Sequence, residues 1–135
     1  FDIETSNPVI DIIESQKGLQ ETGGTMRLGG YRCDLQENSL AREIYKKETI
    51  TERHRHRYEF NDYYKELLNS KGFITSGVCP DNNLVEISEL SDHPFMIGSQ
   101  FHPEFASRLD KPHPLFDYFI KASLNQKKIG AQFRL

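Results

Sequence analysis

The stretch FITSGVCPDNNLVEISELSDHPFMIGSQFH (73–102) decides the fold class. It contains three runs rich in apolar and β-branched residues, which predict strands over 73–78, 84–90 and 95–102. Pro80-Asp81-Asn82-Asn83 and Asp92-His93-Pro94 separate them, and these residue types build turns. The last run, FMIGSQFH, is nearly continuous in apolar residues, as expected of a strand covered on both faces.

Upstream, strands and helices alternate. Val9-Ile10-Asp11-Ile12-Ile13 after Pro8 predicts a short strand, and Thr25 to Leu35 a longer one whose Gly29-Gly30 interruption suggests a bulge. The polar, glycine-bearing residues 14–24 between them read as a loop. Ser39 is placed to cap a helix through Lys47 that buries Leu40, Ile44 and Tyr45. Residues 53–60 (RHRHRYEF) alternate strictly. As a single strand they put Arg53, Arg55, Arg57 and Glu59 on one face and His54, His56, Tyr58 and Phe60 on the other. Asn61 would cap a helix ending at Gly72, with Tyr64, Leu67 and Leu68 on its apolar stripe. Pro114 opens a closing helix with Leu115, Phe116, Phe119, Ile120 and Leu124 on one side. Strands interleaved with helices and followed by a meander predict an α/β fold with a mixed sheet.

Composition bounds the function. The chain has 135 residues, 17 Lys plus Arg against 20 Asp plus Glu, and a formal charge of −3. One domain fits this length, and the charge argues against a dedicated nucleic-acid binder. Apolar runs of four or five residues are too short to span a membrane. Two cysteines, Cys33 and Cys79, are too few for a disulfide framework and suit a reducing compartment. No secretion leader is read at the start, which is Phe1 rather than Met.

Gln100-Phe101-His102-Pro103-Glu104-Phe105 is the sharpest chemical motif. In extended backbone, residues two apart face the same way, so His102 and Glu104 can lie side by side. Pro103 keeps the preceding residue extended. A carboxylate beside an imidazole selects its tautomer and stabilises the imidazolium, as a general base requires. A solvated or structural pair at a strand end is the plain alternative. A nucleophile is harder to find. Cys79 has Gly77 two residues before it but Asp81 two after, and Cys33 has no small residue at either spacing. Both read as structural thiols, and no serine has a G-x-S-x-G setting.

RHRHRYEF admits a nucleic-acid patch, a two-nitrogen metal site, an arginine fork for a carboxylate, or simply a charged strand face. Gly23-Gly24-Thr25-Met26-Arg27-Leu28-Gly29 is neither G-x-G-x-x-G nor a P-loop and reads as a hairpin or bulge. His93-Pro94 and His113-Pro114 read as turn and helix-start punctuation.

Together, GGTMRLG (23–29), ERHRHRYEFN (52–61) and HPFMIGSQFHPEFASR (93–108) resemble the glutamine amidotransferase domain of CTP synthases, in order and with compatible spacing from Phe1 to about Lys127. QFHPEF alone indicates class I amidotransferases; the other two segments narrow the resemblance. It implies a flavodoxin-like three-layer α/β domain, of which residues 1–135 would be the C-terminal part. It also implies a Cys–His–Glu triad that hydrolyses glutamine, with His102 as base, Glu104 as orienting carboxylate and Arg57 binding glutamine.

The nucleophile, in a G-x-C-L-G-x-Q segment, and the ATP-dependent synthetase domain would lie outside this chain. Alone, the chain is then expected to be inactive and to carry uncovered apolar surface. The resemblance further implies a cytoplasmic homotetramer using ATP, Mg2+ and UTP with GTP as activator, with no metal or cofactor held by this segment. No nucleic acid or membrane partner is expected. Leu109 and the tail AQFRL (131–135) depart from the pattern. A non-catalytic binding or regulatory module on the same scaffold is the alternative.

Overall fold

The computed structural model describes residues 4–12 and 26–132; the loop expected over 14–24, including the Gly23-Gly24 pair, lies outside them. Among the described residues, seven strands and three helices follow in order: β1 (Ile10–Ile12), β2 (Arg27–Leu35), α1 (Leu40–Tyr45), β3 (Thr49–His56), β4 (Tyr58–Phe60), α2 (Lys65–Ser70), β5 (Phe73–Val78), β6 (Val85–Leu90), β7 (Ile97–Ser99) and α3 (Pro114–Gln132). Short 3-10 turns lie at Asp62–Tyr64 and Pro103–Ala106. Five strands form one sheet in the order β3-β2-β5-β6-β7, while β1 and β4 pair separately as a ribbon.

The α/β class expected from the sequence is present. All strand pairings among the described residues are antiparallel, however, and not mixed. Short connections join β2 to β3, β5 to β6 and β6 to β7, and a parallel pair would need a long crossover. β2 meets β5 only through Asp34–Val78 and Leu35–Gly77, so the sheet opens and curls there. The curl brings the start of β2 over β6.

Several expected elements shift. Gly29 has φ +99°, yet the β2–β3 register runs unbroken from Arg27–His56 to Asp34–Thr49, so no bulge forms there. The irregularity lies in β5, between Thr75 and Val78. Ser39 does cap α1: its hydroxyl accepts from the Arg42 N–H at 3.1 Å, while Glu89 takes the Leu40 and Ala41 N–H groups at 2.6 and 3.0 Å. The helix stops at Tyr45 because Lys46 turns left-handed, φ 54°.

The single strand expected over 53–60 is two. β3 begins at Thr49, ends at His56, and breaks at Arg57. The break reverses the alternation, so Glu59 is buried and Tyr58 is exposed, opposite to the expected faces. Asn61 caps the turn before α2 as expected, by accepting from the Tyr63 N–H, but Leu67 is exposed.

The strand expected over 95–102 is only three residues long and half exposed. At Gln100 the chain leaves β6, donating its N–H to the Glu86 carbonyl at 2.9 Å. At His102 it reaches β3, donating to the Arg53 carbonyl at 2.9 Å. Phe101 is buried between these anchors, in a core with Cys33, Leu35, Ala41, Ile50, Ile87 and Leu115. Of the apolar stripe on α3, only Leu115 is buried; Phe116, Phe119, Ile120 and Leu124 are 41–56% exposed.

Candidate functional site

Local chain geometry places the histidine–carboxylate pair. His102 is extended, φ −106° and ψ 92°, as a residue before proline should be. Pro103 then starts the 3-10 turn, which returns the Glu104 side chain toward the ring. His102 Nδ1 lies 2.7 Å from Glu104 Oε1. The Phe105 ring stacks on the imidazole with centroids 4.9 Å apart and planes 18° from parallel. The imidazole is held from two sides.

Glu104 is exposed, yet its carboxyl is held below the usual carboxylate range, first by the His102 hydrogen bond and then by its own backbone N–H. An ionised acceptor at Nδ1 makes Nδ1 the protonated nitrogen and leaves Nε2 as the basic one. Beside the pair opens a cleft of about 500 Å³ lined by Leu28, Gly29, Arg53, His54, Arg55 and Phe105. A Cβ at Gly29 would meet nothing within 4 Å; the positive φ, not crowding, calls for glycine there.

The structure brings His102 and Glu104 together as the sequence indicated. Arg57 stands half-buried at the break between β3 and β4, and Arg53 and Arg55 line the cleft. Both cysteines are fully buried. Burial, with the Glu86 charge second, pushes the Cys33 thiol up to about 12, which suits a packed side chain and not a nucleophile. No group of three or more potential metal ligands occurs among the described residues.

Two buried polar clusters lie behind the site. In the first, Arg27 bonds Glu59 Oε1 at 3.2 Å and Glu86 Oε1 at 2.7 Å, and its guanidinium sits 4.3 Å over the Tyr31 ring. His54 Nδ1 lies 2.7 Å from His56 Nε2, and His56 Nδ1 lies 3.1 Å from the Tyr58 carbonyl oxygen. Burial lowers His54 to about 3 and His56 to about 4, and raises Glu59 to about 7 against the pull of Arg27. Burial raises Glu86 in the same direction.

In the second cluster, the Leu115 N–H donates to His113 Nδ1 at 3.3 Å. His113 Nε2 therefore carries the proton and faces Glu52 Oε1 at 3.0 Å, an oxygen shared with the Tyr45 hydroxyl. His113 does begin the last helix, as expected, but it also ties that helix to β3 and α1. Neither cluster was read from the sequence, where of these residues only Glu59 was assigned a face, and that face was the one with the arginines. The alternation that buries Glu52 beside His54 was the available signal.

Comparisons with known proteins place the chain in a family. The family model for glutamine amidotransferase class-I matches residues 4–122. A CTP synthase from Caldanaerobacter subterraneus subsp. tengcongensis is 58% identical over 132 residues, covering 98% of this chain and 25% of that protein. One from Aquifex aeolicus is 56% identical over 128 residues, covering 95% and 24%. The chain thus spans about a quarter of the length of the curated relatives it matches. Among solved structures, the glutaminase domain of Trypanosoma brucei CTPS, with bound acivicin, superposes with a TM-score of 0.80 at 32% identity, over 90% of this chain and 48% of that one. With a flavodoxin-like amidotransferase fold and a family match over most of its length, this chain belongs to the class I glutamine amidotransferases, and its relatives are CTP synthases.

Proposed function

We propose that this chain supplies the acid–base half of a glutaminase site within a CTP synthase. The His102–Glu104 contact at 2.7 Å, beside an open cleft, carries the reading. His102 Nε2 takes the proton of a cysteine thiol contributed by chain outside these 135 residues. The thiolate attacks the side-chain amide carbon of glutamine, and the protonated imidazole returns the proton to the leaving ammonia. Water then hydrolyses the thioester to glutamate. Glu104 fixes the tautomer and stabilises the imidazolium, and the Arg57 guanidinium receives the substrate carboxylate. The ammonia passes to an ATP- and Mg2+-dependent amination of UTP, with GTP as activator, in the remainder of the enzyme. The isolated chain hydrolyses no glutamine.

A hybrid CTP synthase, with this chain replacing the matching segment of a relative, tests the proposal. His102→Ala is expected to abolish glutamine-dependent CTP synthesis relative to synthesis from free ammonia. Equal ratios in variant and parent, or glutamine hydrolysis by the isolated 135-residue chain, would overturn it.

A further inference from the structure

We propose that His54 is a positioning residue for His102, held in one tautomer by a directed hydrogen-bond chain through His56 to the Tyr58 carbonyl. The inference rests on the catalytic reading of His102 given above. His54 adjoins two of the groups that seat that base. Arg53, the residue before His54, accepts the His102 N–H through its carbonyl at 2.9 Å. The His54 ring also meets the Phe101 ring edge-on, with centroids 5.9 Å apart and planes at 68°. Phe101 is the residue immediately before His102. A displacement of the His54 ring would therefore disturb the Phe101 side chain, and with it the chain that leads into His102.

What holds the ring is directional. His56 Nδ1 faces two acceptors, the Tyr58 carbonyl at 3.1 Å and Glu59 Oε1 at 3.4 Å, so Nδ1 carries the hydrogen. In a neutral ring His56 Nε2 is then an acceptor, and the hydrogen in its 2.7 Å contact belongs to His54 Nδ1. His54 Nε2 is left as an acceptor, 3.6 Å from Glu86 Oε2. Both atoms are buried without a hydrogen-bond partner, and two lone pairs facing each other in that setting would repel. At 3.6 Å this contact is too long for a hydrogen bond, so the directed chain runs from His54 through His56 to Tyr58. Tyr31, 5.2 Å away and edge-on, closes the remaining side of the His54 ring.

The test uses the hybrid CTP synthase and the ratio of glutamine-dependent to ammonia-dependent synthesis, which cancels general damage to the fold. His54→Ala is expected to lower that ratio about tenfold through kcat, with the KM for glutamine within about twofold, since displacement of a reacting group by a fraction of an ångström is felt in the chemical step. His54→Asn, whose amide can still donate to His56, is expected to recover the ratio to within about threefold of the parent. An unchanged ratio in His54→Ala, a loss expressed only in KM, or an Asn variant no better than Ala would each overturn the positioning role. His102→Ala run alongside separates the two layers: if it leaves the ratio intact, the catalytic reading itself fails.

Discussion

Gly77→Ala offers a direct reading of how tightly the sheet closes on its core. An ideal Cβ at Gly77 would sit 2.7 Å from Cys33 Sγ, 2.9 Å from Ile87 Cγ1 and 3.0 Å from Ile87 Cβ. Carbon and sulfur contacts are comfortable at about 3.5–4.0 Å, so each falls short by roughly half an ångström or more. Cys33 and Ile87 are both fully buried, so neither can yield toward solvent. Overpacking of this kind costs about 1–3 kcal/mol, offset by about 0.4–1 kcal/mol from the stiffer unfolded chain. A net loss of about 1–2 kcal/mol lowers Tm by about 4–7 °C at this chain length. Cys33→Ala removes the nearest clashing atom, so the double variant should be more stable than the two single losses imply, by about 1 kcal/mol. Urea denaturation of the four chains measures this coupling. Additive losses, or a Gly77→Ala chain more stable than the parent, would show that the contact is not what sets the packing.

Further expectations follow from the buried charges and caps. Arg27→Met strands Glu59 and Glu86 without their cation and should cost about 3–5 kcal/mol at pH 8, shrinking in acid as the carboxyls take up protons; urea denaturation at both pH values checks this. Glu59 is raised to about 7 in the fold, so its contribution is complete below the ordinary carboxylate range and is lost as pH rises from about 4.5 to 7. His54 and His56 are lowered to about 3 and 4, so theirs is complete above about 6.5 and lost as pH falls. Glu59→Gln should therefore remove the Glu59 share of the first slope, leaving that of Glu86, and leave the second in a stability-against-pH profile. Ser39→Ala removes the α1 cap and should cost about 1 kcal/mol in the same denaturation. Glu104→Gln in the hybrid enzyme should lower the glutamine-to-ammonia ratio by about ten- to a hundred-fold, less than for a fully buried triad acid because this pair is partly exposed.

Local chemistry was legible in the sequence, and long-range chemistry was not. Ser39, Asn61 and Pro114 mark helix or turn starts through interactions within a few residues, and the structure keeps all three. His102, Pro103 and Glu104 also act locally, so their pairing could be read from spacing. The break at Arg57 could not, because an alternating pattern continues through it while the chain changes sheets. The Arg27 cluster joins residues 32 and 59 positions apart, and nothing at either end announces that the curl of the sheet will bury them together. The apolar run at 95–102 was overread as one strand: Phe101 is buried by the chain's crossing to β3, not by a covering layer.

That crossing also bears on association between molecules. β3 is an outermost strand of its sheet among the described residues, and an outermost strand offers unpaired carbonyls on which a foreign strand can grow. The His102 N–H already occupies one of them, at Arg53, and charged Arg53 and Arg55 flank it on the exposed face. The His102 segment thus doubles as an aggregation guard, and a substitution that dislodges it is expected to lose solubility.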